Sequence, residues 1–214
     1  MKYVKILGLL AVAAAALMAF AGPASATTIT SPTGTAYTGT IQATSEGHVV
    51  LKNPIANIAC SSKVHGLSLT HGAGQTAKGN INELLWGEKE GVYAGKCTDS
   101  WHVTTVTAGS LEIHWVASHV GTLTSSGAKV TTTRLGLTCV YATNNTHIGS
   151  FTDSHTAGDK DGNVNETKEG TATLHVNASI PIISGESSAL CGSGNAKWEG
   201  SYTVTTPHLI YIDQ

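Results

Sequence analysis

Cys60, Cys97, Cys139 and Cys191 are the residues of this 214-residue chain whose type and spacing point most directly to chemistry. An even set of well-separated cysteines in an exported chain forms disulfides. Four cysteines allow three connectivities. Sequential pairing, Cys60–Cys97 with Cys139–Cys191, keeps each bridge inside one half of the chain and spans separations of 37 and 52 residues. Loop-closure entropy then contributes up to about 4 kcal/mol per bridge. Zinc is the competing use, but zinc sites bring ligands in close pairs and the chain has no C-x-x-C. Bridging also removes all four cysteines from the candidate nucleophiles.

The remaining candidates are weaker. Asp159-Lys160-Asp161-Gly162-Asn163-Val164-Asn165-Glu166 places oxygen ligands at alternating positions, as a calcium loop does. If calcium binds, Asp159, Asp161 and Asn163 are the ligands. The run departs from an EF-hand, because Gly170 stands where the bidentate glutamate belongs. A solvated D-G hairpin is the simpler reading, so no metal or other cofactor is assigned. The ten histidines include no His-x-His pair. His65 and His71 share a strand face with Leu67 and Leu69, too far apart to hold one ion. No G-x-S-x-G elbow is present for serine hydrolysis. Glu112 and Glu199 fall on expected strands, but glycoside hydrolysis needs them facing each other across a cleft. Among Trp86, Trp101, Trp115 and Trp198, the strand pattern assigns Trp115 to the core and Trp101 and Trp198 to the neighbourhood of bridges. Trp86 is then the candidate for stacking on a sugar. No catalytic residue is assigned.

The segment that fixes compartment is N-terminal. Lys2 and Lys5 precede an apolar run from Ile6 to Phe20, Gly22-Pro23 breaks it, and Ala24-Ser25-Ala26 supplies small residues for cleavage. Residues 1–26 read as a signal peptide, too short and wrongly flanked for a membrane span. The mature chain, 27–214, is then 188 residues with ten basic and fourteen acidic side chains. That size suits one secreted domain. Its charge gives no footing for nucleic acid, which selects basic patches. Charged residues are only 12% of the chain, so threonine, serine, glycine and asparagine supply the polarity.

The elements that must position these residues are strands. Leu111, Ile113, Trp115 and Ala117 alternate with Glu112 and His114, and Ala172 to Ile180 alternates in the same way. Leu137, Cys139 and Tyr141 share one face, so Cys139 points inward. Further strands are expected at 36–43, 47–52, 63–70, 101–107, 128–134 and 147–152, with closing strands from Tyr202 to Ile212 divided at Pro207. Ile81 to Trp86 reads as a helical turn. Turn signals at Asn53-Pro54, Ser125-Ser126-Gly127 and elsewhere separate the strands. The expected fold is all-β, an antiparallel sandwich or barrel with two intrachain disulfides. The cysteine–tryptophan–Val-Thr-Thr runs at Cys97 and Cys191 point to two related halves, about 27–125 and 126–214.

Ser31-Pro32-Thr33-Gly34-Thr35-Ala36-Tyr37, Ile58-Ala59-Cys60, Gly95-Lys96-Cys97, Leu137-Thr138-Cys139-Val140-Tyr141 and Tyr202-Thr203-Val204-Thr205-Thr206-Pro207 resemble successive parts of secreted, disulfide-bonded actinobacterial β proteins. More distantly the chain resembles the family named for activating alkane oxidation, although His114-Trp115 stands where members carry Leu-Pro-Trp. The resemblance implies an exported β fold and carries over no catalytic residue.

Three functions follow as expectations. The first is a non-enzymatic secreted or cell-surface protein, structural or adhesive, with Thr35 to Ala43 or Tyr202 to Ile212 adding to a neighbouring copy's sheet edge. The second is a module binding a carbohydrate or an apolar small molecule. The third is a β-fold glycoside hydrolase.

Overall fold

The computed structural model describes residues 27–71, 76–89, 91–117, 119–154 and 170–213. The expected signal peptide and the candidate calcium ligands Asp159, Asp161 and Asn163 lie outside these residues. The strands in chain order are β1 (Thr28–Thr30), β2 (Thr40–Ser45), β3 (Val49–Asn53), β4 (Ala56–Cys60), β5 (Ser62–His71), β6 (Thr76–Asn80), β7 (Glu83–Trp86), β8 (Glu88–Lys89) and β9 (Val92–Tyr93). They continue as β10 (His102–Thr107), β11 (Ser110–Ala117), β12 (Val120–Ser126), β13 (Lys129–Arg134), β14 (Leu137–Ala142), β15 (Thr146–Thr152), β16 (Thr173–Ile180), β17 (Ala196–Thr206) and β18 (Tyr211–Asp213).

Eight of these strands close a barrel. β2, β5, β6, β11, β12, β15, β16 and β17 each pair antiparallel with the next, and β17 returns to β2. The order is an up-and-down meander, so successive connections fall at alternating ends. Residues 46–61, 81–109, 127–145 and 181–195 all connect strands at one end. Both termini lie at the other end, where β1 pairs with β18 and buries Ile29 and Ile212.

Period-two alternation decides which side chains fill the barrel. Ile41, Leu67, Leu111, Ile113, Leu123, Phe151, Leu174, Val176 and Tyr202 point inward and are buried. Threonine, serine, histidine and lysine point outward. This polarity is the reverse of what a lipid-spanning barrel requires. Among the described residues, no helix is long and apolar enough to cross a membrane. The interior is packed: a remaining void of about 30 Å³ is lined by Val64, Leu111, Leu123, Val176, Trp198 and Tyr202, among others. That is room for about one water, not for a lipid.

The structure shows the expected all-β fold and resolves sandwich or barrel in favour of a closed barrel. Two local expectations change. Glu83–Trp86 is a strand, not a helical turn, because Leu84 and Trp86 alternate inward and the run pairs with β5. His65 does not share a face with Leu67. A bulge with Gly66 at φ 68° lies between the pairs Ala43↔Val64 and Ile41↔Leu67, turning His65 outward to Glu83 at 3.3 Å.

Candidate functional site

The four long connections form a cap over one barrel mouth, and each is tied to its neighbours. Cys60–Cys97 joins 46–61 to 81–109, with Cα atoms 4.8 Å apart. The pairing of β10 with β13 joins 81–109 to 127–145. Cys139–Cys191 joins 127–145 to 181–195, with Cα atoms 5.7 Å apart. Backbone bonds Ile183 N to Val140 O and Ser188 N to Thr138 O, both 2.8 Å, run beside it. β3 pairs with β17 just after 181–195 and closes the ring. Across its middle, Asn53 Nδ2 donates to the Tyr141 hydroxyl at 2.9 Å. Both disulfides are those expected, and Cys139 and Tyr141 point inward, fully buried.

Three of the four tryptophans serve this junction. Trp86 is 4% exposed, which removes it as a stacking platform. Its ring lies 5.8 Å from that of Trp198, and its Nε1 donates to Thr105 Oγ1 at 2.9 Å. Thr105 Oγ1 donates onward to Leu84 O at 2.5 Å, stitching β7 to β10, which share no backbone ladder. Trp101 is buried beneath the Arg134 guanidinium, 5.9 Å from its ring centroid. Trp115, expected in the core, is only partly buried against it.

Burial raises the Tyr202 hydroxyl well above its ordinary value while it donates to Ser62 Oγ at 3.1 Å. Burial also raises Tyr141, opposed by its bond with Asn53. Tyr93 is raised first by burial and then by the Glu88 carboxylate. Tyr93 flanks a groove of about 460 Å³ over the β7–β10 seam, lined also by Glu83, Leu85, Thr104 and Val106.

The residues considered for catalysis are not brought together. Glu112 on β11 and Glu199 on β17 are four strands apart in either direction around the barrel, on opposite walls. Each is turned to a lysine, Glu112 to Lys78 at 3.9 Å and Glu199 to Lys197 at 2.5 Å. The bond to Lys197 leads the causes holding Glu199 below the ordinary carboxylate range. Such a pair cannot act on one glycosidic bond. Among the described residues, no group of three or more His, Cys, Asp or Glu side chains is placed to hold a metal.

One feature of the site escaped sequence reasoning. Ile55, Val92, Val106, Leu135 and Leu190 are exposed, and every cap connection carries at least one of them. Leu135 is 96% exposed at the tip of the β13–β14 hairpin. The signal was present as single aliphatics within turn sequences, at Asn53-Pro54-Ile55 and Arg134-Leu135-Gly136, where short polar residues are usual. Comparison with known protein families, curated proteins and solved structures finds no match.

Proposed function

We propose that this chain is an exported, non-enzymatic cell-surface protein that works by contact, with the cap as its adhesive face and the barrel as its support. The carrying observation is the distribution of exposed aliphatics. Of the six large ones among the described residues, five lie on the four cap connections. Exposed apolar groups cost solubility and mark contact surfaces when they gather. A cap fixed by two disulfides as well as by the β10–β13–β14 ladders holds them in place. Disulfides also fit an oxidising extracellular setting.

The binding alternative narrows on physical grounds. The filled barrel has no lumen for an apolar ligand, and Trp86 offers no sugar platform. The groove beside Tyr93 is the feature that favours a carbohydrate, and titration with oligosaccharides monitored at the Tyr93 ring tests it. Strand exchange loses its footing. β2 is paired on both edges, and β1 and β18 pair with each other.

The test is fractionation of a bacterial host that exports the full chain. Leu135→Ser with Leu190→Ser should move the protein from the cell surface into the medium. Unchanged surface retention of that variant overturns the proposal.

A further inference from the structure

Three of the exposed aliphatics lie on segments that are bonded or packed against one another. Leu135 tips the β13–β14 hairpin and leads through Leu137 to Thr138 and Cys139. Cys139 is bonded to Cys191, next to Leu190, and Thr138 O accepts from Ser188 N at 2.8 Å. Farther along, Pro54 lies 3.3 Å from where a side chain on Gly194 would begin, and Ile55 follows it. Leu135, Leu190 and Ile55 are 96%, 76% and 45% exposed.

The charges on these segments run against those of the whole molecule. The β3–β4 hairpin carries Lys52 and no carboxylate, and the β13–β14 hairpin carries Lys129 and Arg134 and no carboxylate. Residues 181–199 carry Lys197 with Glu186 and Glu199. Lys129 is paired with Glu186 and Lys197 with Glu199, each at 2.5 Å, which leaves Lys52 and Arg134 as the excess, whereas the chain as a whole is at −2. Total charge conceals this local excess.

We infer that these segments dock on an anionic lipid surface, their aliphatic tips entering the interface while Lys52 and Arg134 meet the headgroups. The inference rests on the reading of the cap as a contact face and names what it contacts. A second copy is disfavoured in two ways. A standard interface draws on about 20–30 residues a side, whereas the exposed large aliphatics on these segments are three. Arg134 at one end and the Lys52–Lys197–Glu199 group at the other leave a cationic excess at both ends, so like charge meets like in an antiparallel pairing.

Vesicle flotation of the exported protein tests this. Vesicles of phosphatidylcholine with phosphatidylglycerol should bind it roughly tenfold better than phosphatidylcholine alone, and added salt should erase that difference. Leu135→Ser with Leu190→Ser should abolish flotation with an unchanged thermal midpoint, and Lys52→Gln should weaken it on anionic vesicles only. Failure of the parent protein to float, or equal flotation of the double-serine variant, overturns the inference. So does self-association of the parent protein that the double variant loses, which would assign these segments to a second copy. If the double variant leaves the cell surface although the parent protein binds no vesicle, the lipid assignment falls and the contact face stands. If vesicles bind but retention on cells ignores the variant, the proposed function falls instead.

Discussion

The barrel wall and the cap are built from the same hydroxyl-rich composition but are held together differently. In the barrel, each strand has a neighbour on both sides, and the inward residues alone form a packed core. Its outer face is polar apart from Val116 on β11, which is 52% exposed. The cap has short strands, uses both disulfides, and recruits side chains where ladders are missing, as Thr105 does between β7 and β10. Its surface carries the other exposed aliphatics. The closed wall is self-sufficient and displays little, whereas the cross-linked hairpins and connections of the cap hold protruding side chains in place.

The largest effect should come from the barrel. Phe151 is 1% exposed, and Phe151→Ala should cost about 3–5 kcal/mol in chemical denaturation, unfolding cap and barrel in one transition. A separate earlier transition for the cap would show that the regions are less coupled than described. Replacing Cys139 and Cys191 together by serine should cost at most about 4 kcal/mol. Here hydrogen exchange is the sharper probe. Amides of β13, β14 and residues 181–195 should lose protection while β11, β12 and β16 keep theirs. Equal loss in the barrel would erase the distinction.

Alkaline pH compares the regions through their tyrosines. Tyr202 and Tyr141 both have raised pKa values in the folded protein, so each favours folding fully below the ordinary tyrosine value. That contribution drains away as pH rises from about 10 through the raised folded value. Tyr202→Phe, in the barrel, should flatten the alkaline loss of stability more than Tyr141→Phe, in the cap. The reverse order would mean that the cap, not the barrel, opens to hydroxide last. The smallest of these effects belongs to Thr105→Val, which should cost about 1 kcal/mol and raise exchange only along β7 and β10.

The legibility of the sequence follows the same division. The disulfide pairing was legible, since sequential pairing keeps each bridge within one half of the chain. Strongly alternating strands such as Leu111–Ala117 were legible because their inward residues are large. β6 and β12 were not. Their inward positions include Ala77, Gly79, Gly121 and Ser125, small residues that leave no hydrophobic period to detect. The reason for one is geometric: a Cβ on Gly121 would lie 2.7 Å from Ile212 Cδ1 and 2.9 Å from Ile113 Cγ2, so any larger residue would force the side chains packed there to shift. The cap was read as disconnected turns and strand ends. Its unity depends on contacts such as Asn53 with Tyr141, 88 residues apart, which no local pattern encodes. Trp86 was misplaced for the same reason, because its partners Thr105 and Trp198 come from other connections.

The most direct test of the division between supporting barrel and contacting cap is surface retention of three exported chains compared side by side. These are the parent, the cap variant Leu135→Ser with Leu190→Ser, and the wall variant Asn177→Ala on β16. Both variants should keep the parent's stability within about 0.5 kcal/mol, since all three positions are exposed. The account predicts that the cap variant appears in the medium while the wall variant stays on cells with the parent. Retention of the cap variant at the parent's level, or equal release of the wall variant, would contradict it.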